Sequence, residues 1–300
     1  MTTLTWRVGD VTVTCVEDLV APLPVGYLVT GLTDAHVDAQ RPWVDPYFTA
    51  DGDLLLSVHC FVVESSGVTI AVDTCAGAHD GRPLVGDPAF LERLAAVVGG
   101  LDAVDVVVCT HLHFDHIGWN TVQDADGAWR PAFPNARYLV TADEMDGFVD
   151  EHGVAATSIV PLTDAGVLDH VGMDHRITSE VRLVATPGHT AGHVSVMIES
   201  GDRAALITGD ATHSPIQFTH PELAAERVDH DSDRSRQTRR DLIATYADTD
   251  TLILGTHFAP PTGGCSARSN PVGLRSSRRP CDDDSVAHQS VAMYWVSVNS

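Results

Sequence analysis

Apolar and polar residues alternate over 6–17 on either side of a Gly9-Asp10 turn signal, the period-two pattern of a β-hairpin. Two more strands fit 56–64 and 68–73, separated by the turn-like Ser65-Ser66-Gly67. A helix fits 88–98, with Asp87 as its N-cap and Gly99-Gly100 as its stop. Residues 104–109 are a nearly continuous apolar run, the pattern of a strand buried on both faces. The second half repeats this grammar, with strands at 137–140, 181–185, 194–199, 204–207 and 251–254 and helices near 142–150 and 233–246. Residues 19–53, rich in Pro, Gly and aromatics, read as one long loop of the kind that usually serves as a lid or binding surface. Strands and helices joined by loops full of Asp, His and Gly predict a layered α/β architecture. No repeat or linker divides the chain, so one domain is expected over 1–264. Periodicity then lapses until 291–298. Residues 265–300 are read as a tail that is disordered, supplies one final strand, or comes from a shifted reading frame.

Composition narrows the function classes. The basic residues number 18 against 41 acidic ones, all 18 are Arg, and the net charge is −23. A field of that sign repels phosphate backbones and anionic lipid, so neither a nucleic acid nor a membrane is expected as a partner. The one basic cluster, Arg234, Arg236, Arg239 and Arg240, reads as a solvated helix face. No apolar run approaches the ~20 residues of a membrane span, and the start lacks the pattern of a signal peptide. Cys15, Cys60, Cys75, Cys109, Cys265 and Cys281 show no Cys-x-x-Cys pairing, so reduced, mostly buried thiols in a cytoplasmic protein are expected. The 16 histidines are the one excess, and they point to metal chemistry.

Directly after the 104–109 run stands Thr110-His111-Leu112-His113-Phe114-Asp115-His116-Ile117-Gly118. In an extended loop, residues two apart point the same way, so His111 and His113 are placed to share one ion while Asp115 and His116 turn to a neighbouring one. Three further runs end in ligand-type residues: Thr186-Pro187-Gly188-His189, Thr208-Gly209-Asp210 and Gly255-Thr256-His257. Five His and two Asp make two adjacent sites once one carboxylate bridges them. Ligation by N and O without thiolate suits Zn²⁺ first, with Mn²⁺, Fe²⁺ or Co²⁺ as alternatives.

The His-x-His-x-Asp-His motif with separate downstream His, Asp and His resembles the metallo-β-lactamase-fold hydrolase superfamily over most of 1–264. That resemblance implies a four-layer αββα sandwich with the site at one edge. It implies two divalent metal ions, one on His111, His113 and His189 and one on Asp115, His116 and His257, with Asp210 bridging. Val72-Asp73-Thr74 resembles the family's strand-end Asp, which supports a ligand from behind; a plain strand-ending Asp is the alternative. The stretch 209–218 and the loop before the first metal strand look most like the branch of acyl-homoserine lactonases and organophosphate hydrolases. Those lactonases commonly place a Tyr three residues after the bridging Asp, where this chain has His213. A His there is able to donate to a substrate oxyanion or to titrate near neutral pH.

Paired divalent ions lower the pKa of a water between them toward ~7, and Asp115 and Asp210 would set the charge of such a site and orient the nucleophile. No Gly-x-Ser-x-Gly elbow competes. The expected function is therefore hydrolysis of a small neutral ester or lactone, with Asp115 and His213 as catalytic residues. A phosphotriesterase, a glyoxalase-II-like thioesterase and a non-catalytic metal-binding relative are the alternatives. A homodimer is expected only from the frequency of dimers among soluble proteins. Trp43, Tyr47, Phe48, Trp119, Phe218 and Phe258 fall near the loops; for each, core packing is favoured over pocket lining. His193 reads as packed behind the ligands, and His59 and His220 are undetermined.

Overall fold

A computed structural model of the chain describes residues 4–79, 81–150, 152–268 and 294–297. Its strands are β1 (Leu4–Val8), β2 (Val11–Leu23), β3 (Leu54–Ser65), β4 (Val68–Val72), β5 (Val106–Val108), β6 (Thr121–Gln123), β7 (Trp129–Pro131), β8 (Arg137–Thr141), β9 (Leu168–Val171), β10 (Val181–Ala185), β11 (Val194–Ser200), β12 (Arg203–Ile207), β13 (Leu252–Leu254), β14 (Gly263–Arg268) and β15 (Tyr294–Ser297). The helices are α1 (Asp34–Gln40), α2 (Phe90–Val98), α3 (Phe114–Ile117), α4 (Ala142–Gly147), α5 (Val160–Asp164), α6 (Ile216–Thr219) and α7 (Ser232–Tyr246). One sheet runs β1-β2-β3-β4-β5-β8-β9, the other β10-β11-β12-β13-β14-β15, and β6-β7 form a separate ribbon.

Side-chain alternation explains why these strands make a sandwich. In β3 and β4, Phe61, Val63, Ile70 and Val72 enter a core shared with Val194, Val196, Ile198 and Ile207 of the second sheet. The intervening Cys60, Val62 and Ala71 face the other way, into a core closed by Phe90 and Leu94 of α2 and Leu162 of α5. On the second sheet Met197, Leu206 and Ile253 turn outward beneath Val37 of α1, Ile216 of α6 and Leu242 of α7. With period-two side chains apolar on both faces, each sheet has to be covered twice, and the result is helix, sheet, sheet, helix.

Four expectations change. Residues 19–53 are not one loop: 19–23 continue β2, pairing from Leu19 with Val58 to Leu23 with Leu54, and α1 follows. Extended pairing with β3, invisible locally, overrides the Pro and Gly content. Asp87 is not the N-cap of α2; Ala89 is, and Asp87 accepts a hydrogen bond from the Ala89 amide at 2.9 Å. The Arg cluster is not wholly solvated, because Arg239 is buried and donates to the Ala211 carbonyl at 3.2 Å and Ser235 Oγ at 2.9 Å. The six cysteines are not all reduced: Cys265 is disulfide-bonded, whereas Cys15, Cys60, Cys75 and Cys109 are free and buried. Spacing along a chain says nothing about which cysteines the fold brings within bonding reach. Strand β14 spans residue 264, and β15 falls within the stretch read as a final strand; residues 269–293 of the tail lie outside the described residues. No helix among the described residues is long and apolar enough to cross a membrane.

Candidate metal centre

The ends of β5, β10, β12 and β13 meet at one edge of the sandwich, and the four ligand-bearing loops leave from them. His111 and His113 follow β5, Asp115 and His116 lie in α3, His189 follows β10, Asp210 and His213 follow β12, and His257 follows β13. All eight converge. Ligand atoms within 4.8 Å of one another form the groups His111/His113/His189, His111/His116/Asp210, Asp115/His116/His257 and His189/Asp210/His213. The Asp210 carboxylate divides between them. Its Oδ2 lies 3.3 Å from His189 Nε2 and 3.1 Å from His213 Nε2, and its Oδ1 lies 3.3 Å from His116 Nε2 and 3.2 Å from His257 Nε2.

Hydrogen bonds on the far side of each ring fix what it presents inward. The Nδ1–H of His116 donates to Asp73 Oδ2 at 2.8 Å, that of His257 to the Ser57 carbonyl at 2.8 Å, and that of His189 to Asp229 Oδ1 at 3.0 Å. The Thr110 hydroxyl donates to Asp73 Oδ2, which leaves its oxygen to accept from His111 Nδ1 at 3.1 Å. Four rings therefore turn an Nε2 lone pair toward one point. Ring nitrogens meet there at 2.9 Å (His189 with His113) and 3.2 Å (His116 with His257). His111 Nε2, Asp210 Oδ1 and both ring nitrogens of His213 are buried without a hydrogen-bond partner. Stranded polar atoms of this kind cost stability unless a cation occupies the centre, so the residues fit divalent metal.

The electrostatics agree. Burial pushes His111 and His189 well below the ordinary imidazole range and His113 down to about 4, so these rings are neutral donors. Burial works the same way on His116 and His257, but the Asp210 carboxylate overrides it and raises both, with Asp73 also acting on His116. Burial would raise Asp210, yet the facing imidazoles hold it well below the usual carboxylate range. The Asp115–His116–His257 side thus asks for positive charge.

His193 is not a ligand. Its Nδ1–H faces the Thr186 carbonyl at 3.0 Å and its Nε2 accepts the Asp210 amide at 2.8 Å, so both nitrogens are spent positioning Asp210. His59 is buried between Ser57 Oγ and the Gly255 carbonyl, and His220 contacts Gln40 and Glu222. Asp73 is more than a strand-ending residue. At φ 58° it takes the left-handed region, and its carboxylate reaches the Thr110 amide, the Thr110 hydroxyl and His116 together.

Two supporting residues escape sequence reasoning. Asp229 holds His189 and accepts the Ala225 amide at 3.0 Å. Glu144, in the first turn of α4, accepts the Leu112 amide on Oε1 at 3.0 Å and, on Oε2, the Thr190 hydroxyl at 2.6 Å and the Gly192 amide at 3.1 Å. It fastens the His111–His113 loop of one sheet to the His189 loop of the other. The run Thr141-Ala-Asp-Glu144 has the spacing of a capping box, which would read as purely local. Thr141 does cap the helix, accepting the Glu144 amide at 3.2 Å, but the Glu144 carboxylate leaves the helix altogether.

A cavity of about 430 Å³ opens onto the cluster at Asp115, Asp210 and His213, with Leu28, Leu84 and Phe114 among its apolar walls. Of the six aromatics near the loops, Tyr47, Phe48, Phe218 and Phe258 are core, and Trp43 and Trp119 pack against core. Phe114 and Tyr27 are the aromatics of the cavity.

A sequence profile of the metallo-beta-lactamase superfamily matches residues 54–257. A probable metallo-hydrolase of Mycobacterium bovis is 30% identical over 229 residues, covering 62% of this chain and 68% of its own length. An N-acyl homoserine lactonase of Bacillus thuringiensis is 28% identical over 203 residues, covering 59% and 76%. Among solved structures, a beta-lactamase-superfamily hydrolase superposes with a TM-score of 0.73 at 23% identity, covering 91% of this chain and 98% of that one. A dizinc quorum-quenching lactonase in complex with its product gives 0.70 at 20% identity, covering 92% and 98%.

Proposed function

The chain belongs to the metallo-beta-lactamase superfamily and is a metal-dependent hydrolase of it, and from that footing we propose that it opens a small ester or lactone at a dinuclear centre. The observation that carries the proposal is the division of Asp210: one carboxylate oxygen toward His189, the other toward His116 and His257. His111, His113 and His189 would hold one divalent ion, Asp115, His116 and His257 the second, and Asp210 both, with Zn²⁺ first by ligand chemistry. Bound ions supply Lewis acidity and acidify water.

The chain's own residues do the rest. Asp73, Ser57 and Asp229 keep the protons of His116, His257 and His189 on Nδ1, so each Nε2 stays a donor of electrons. Asp115, half-buried at the floor of the cavity, and Asp210 neutralise the centre and orient the attacking water. His213 faces the same cavity with Nε2 committed to no hydrogen bond, placed to donate to the oxygen on which charge develops. The Leu and Phe walls seat an apolar acyl portion and limit access of bulk water. Kinship with N-acyl homoserine lactonases favours a lactone among the esters.

The test is proton release by zinc-loaded protein from an acyl lactone and, separately, from an aryl phosphotriester. Lactone turnover that disappears in Asp115→Ala and on chelation, and falls about 100- to 1,000-fold in His213→Phe, is expected from loss of a ligand and of one oxyanion donor. Faster phosphotriester turnover, or an Asp115→Ala variant as active as the wild type, overturns the reading.

A further inference from the structure

Among the described residues, Arg227 is the only Lys or Arg that lines the cavity. Its guanidinium carbon sits 5.1 Å from the centre of the Tyr27 ring, and Tyr27 is 52% exposed, which puts the pair at the mouth. Stacking occupies one face of the guanidinium and leaves its planar N–H fork for an acceptor. Among the described residues no carboxylate pairs with it. The acids on its own segment are engaged elsewhere, Glu226 with Arg236 and Asp229 with His189. Nor is Arg227 needed to pin the Tyr27 segment, because the Thr30 amide already donates to the Ala224 carbonyl at 2.8 Å. In a chain of net charge −23 the general field turns anions away, and a lone cation at the entrance is the local exception.

We infer that the cavity selects an ester or lactone bearing a carboxylate at the end remote from the scissile carbonyl, paired with Arg227. The inference rests on the reading of the cluster as the place of ester hydrolysis. The substrate then has three parts: a carbonyl at Asp210 and His213, an apolar middle along Leu84 and Phe114, and an anion at Tyr27–Arg227. The overall charge argues for a neutral substrate; the lining argues for one fixed negative charge at the rim.

Two measurements separate this from the reading beneath it. In the first, metal-loaded protein is given the para-nitrophenyl half-ester of a short α,ω-dicarboxylic acid and the same ester with its free acid replaced by an amide. Wild type is expected to favour the acid by about tenfold in kcat/KM, through KM, with the advantage shrinking as salt is added. Arg227→Met should remove that advantage and leave the amide within about twofold, and Arg227→Lys should restore part of it. Equal losses on both esters would make Arg227 a strap on Tyr27 and overturn the inference. In the second, calorimetry compares a dicarboxylate with the monocarboxylate of equal chain length. Tighter dicarboxylate binding that vanishes in Arg227→Met upholds the rim site even when neither ester turns over, an outcome that sinks the hydrolase reading alone. Equal binding of the two acids overturns the rim site.

Discussion

Glu144→Gln is the most discriminating change the structure offers, because it alters one atom that holds two loops together. Glu144 Oε1 accepts one backbone amide, from Leu112, and Oε2 accepts another, from Gly192, together with the Thr190 hydroxyl. An amide in place of the carboxylate must set its NH₂ against one of those two N–H groups. The Thr190 hydroxyl is able to rotate and accept; a peptide N–H is not. A buried donor left facing a donor costs about 1–3 kcal/mol, and a bond to a charged acceptor is worth about as much. One such mismatch, about 2–3 kcal/mol, falls on the relative placement of His113 and His189, now 2.9 Å apart nitrogen to nitrogen. Expressed as affinity it is roughly 30- to 150-fold, close to the ~10- to 100-fold found when groups behind metal ligands are removed. Zinc titration of the apoprotein against a chelator should therefore show one ion weakened by that factor. The second should be unchanged, because Asp73 rather than Glu144 anchors His116. Thermal unfolding of the apoprotein serves as the control. Two ions bound at wild-type affinity, or both weakened equally with a collapse of apoprotein stability, would refute the argument that Glu144 sets one half of the centre.

Gly118→Ala should be severely destabilising: a Cβ there would stand 2.0 Å from the Ala76 carbonyl oxygen, in backbone that cannot yield because Gly118 also donates to the Cys75 carbonyl at 2.7 Å. A loss of about 3 kcal/mol or more in denaturant unfolding is expected, and a loss under about 1 kcal/mol would contradict it. Burial lifts the Asp18 carboxyl from 3.8 to about 6, against hydrogen bonds from the Asp87 and Ala76 amides. A raised carboxyl pKa means that the folded state holds the proton more tightly. Its contribution is complete below 3.8 and is lost as pH rises through about 6. Unfolding of wild type and Asp18→Asn compared at about pH 4 and about pH 7 should show the balance shifting toward the Asn variant by up to about 3 kcal/mol at the higher pH, and a pH-independent difference would count against it.

The strands at 181–185 and 194–199 were legible because their alternation is driven by the same burial that builds the sandwich. Residues 19–53 were not, since the pairing of 19–23 with β3 depends on a partner more than thirty residues away, and Pro22 at the end of a strand reads locally as a break. Cys265 shows the same limit from another side: whether a thiol pairs depends on which other thiol arrives, and neither burial nor spacing reports that.

The centre itself was legible to the degree that its chemistry is concentrated in short runs. His111, His113, Asp115 and His116 lie within six residues, and His189, Asp210 and His257 each close an apolar run, so ligand type and strand end coincide. Of the residues that hold these candidate ligands in place, two carry no such mark. Glu144 and Asp229 are ordinary acids in sequence, Asp73 is marked only by its place at a strand end, and each acts through neighbours 32 to 48 positions away. They differ from the many acids of the surface in one respect: each is buried or turned inward and spends its oxygens on main-chain amides and on hydroxyls or rings of the candidate metal loops. Burial combined with full commitment of the carboxylate is therefore the criterion that separates support from solvation in so acidic a chain. By the same criterion Arg239, buried and bonded to Ala211, belongs with the supporting groups, whereas exposed Arg227 does not, and it is its place in the cavity lining beside Tyr27 that sets it apart from the solvated arginines.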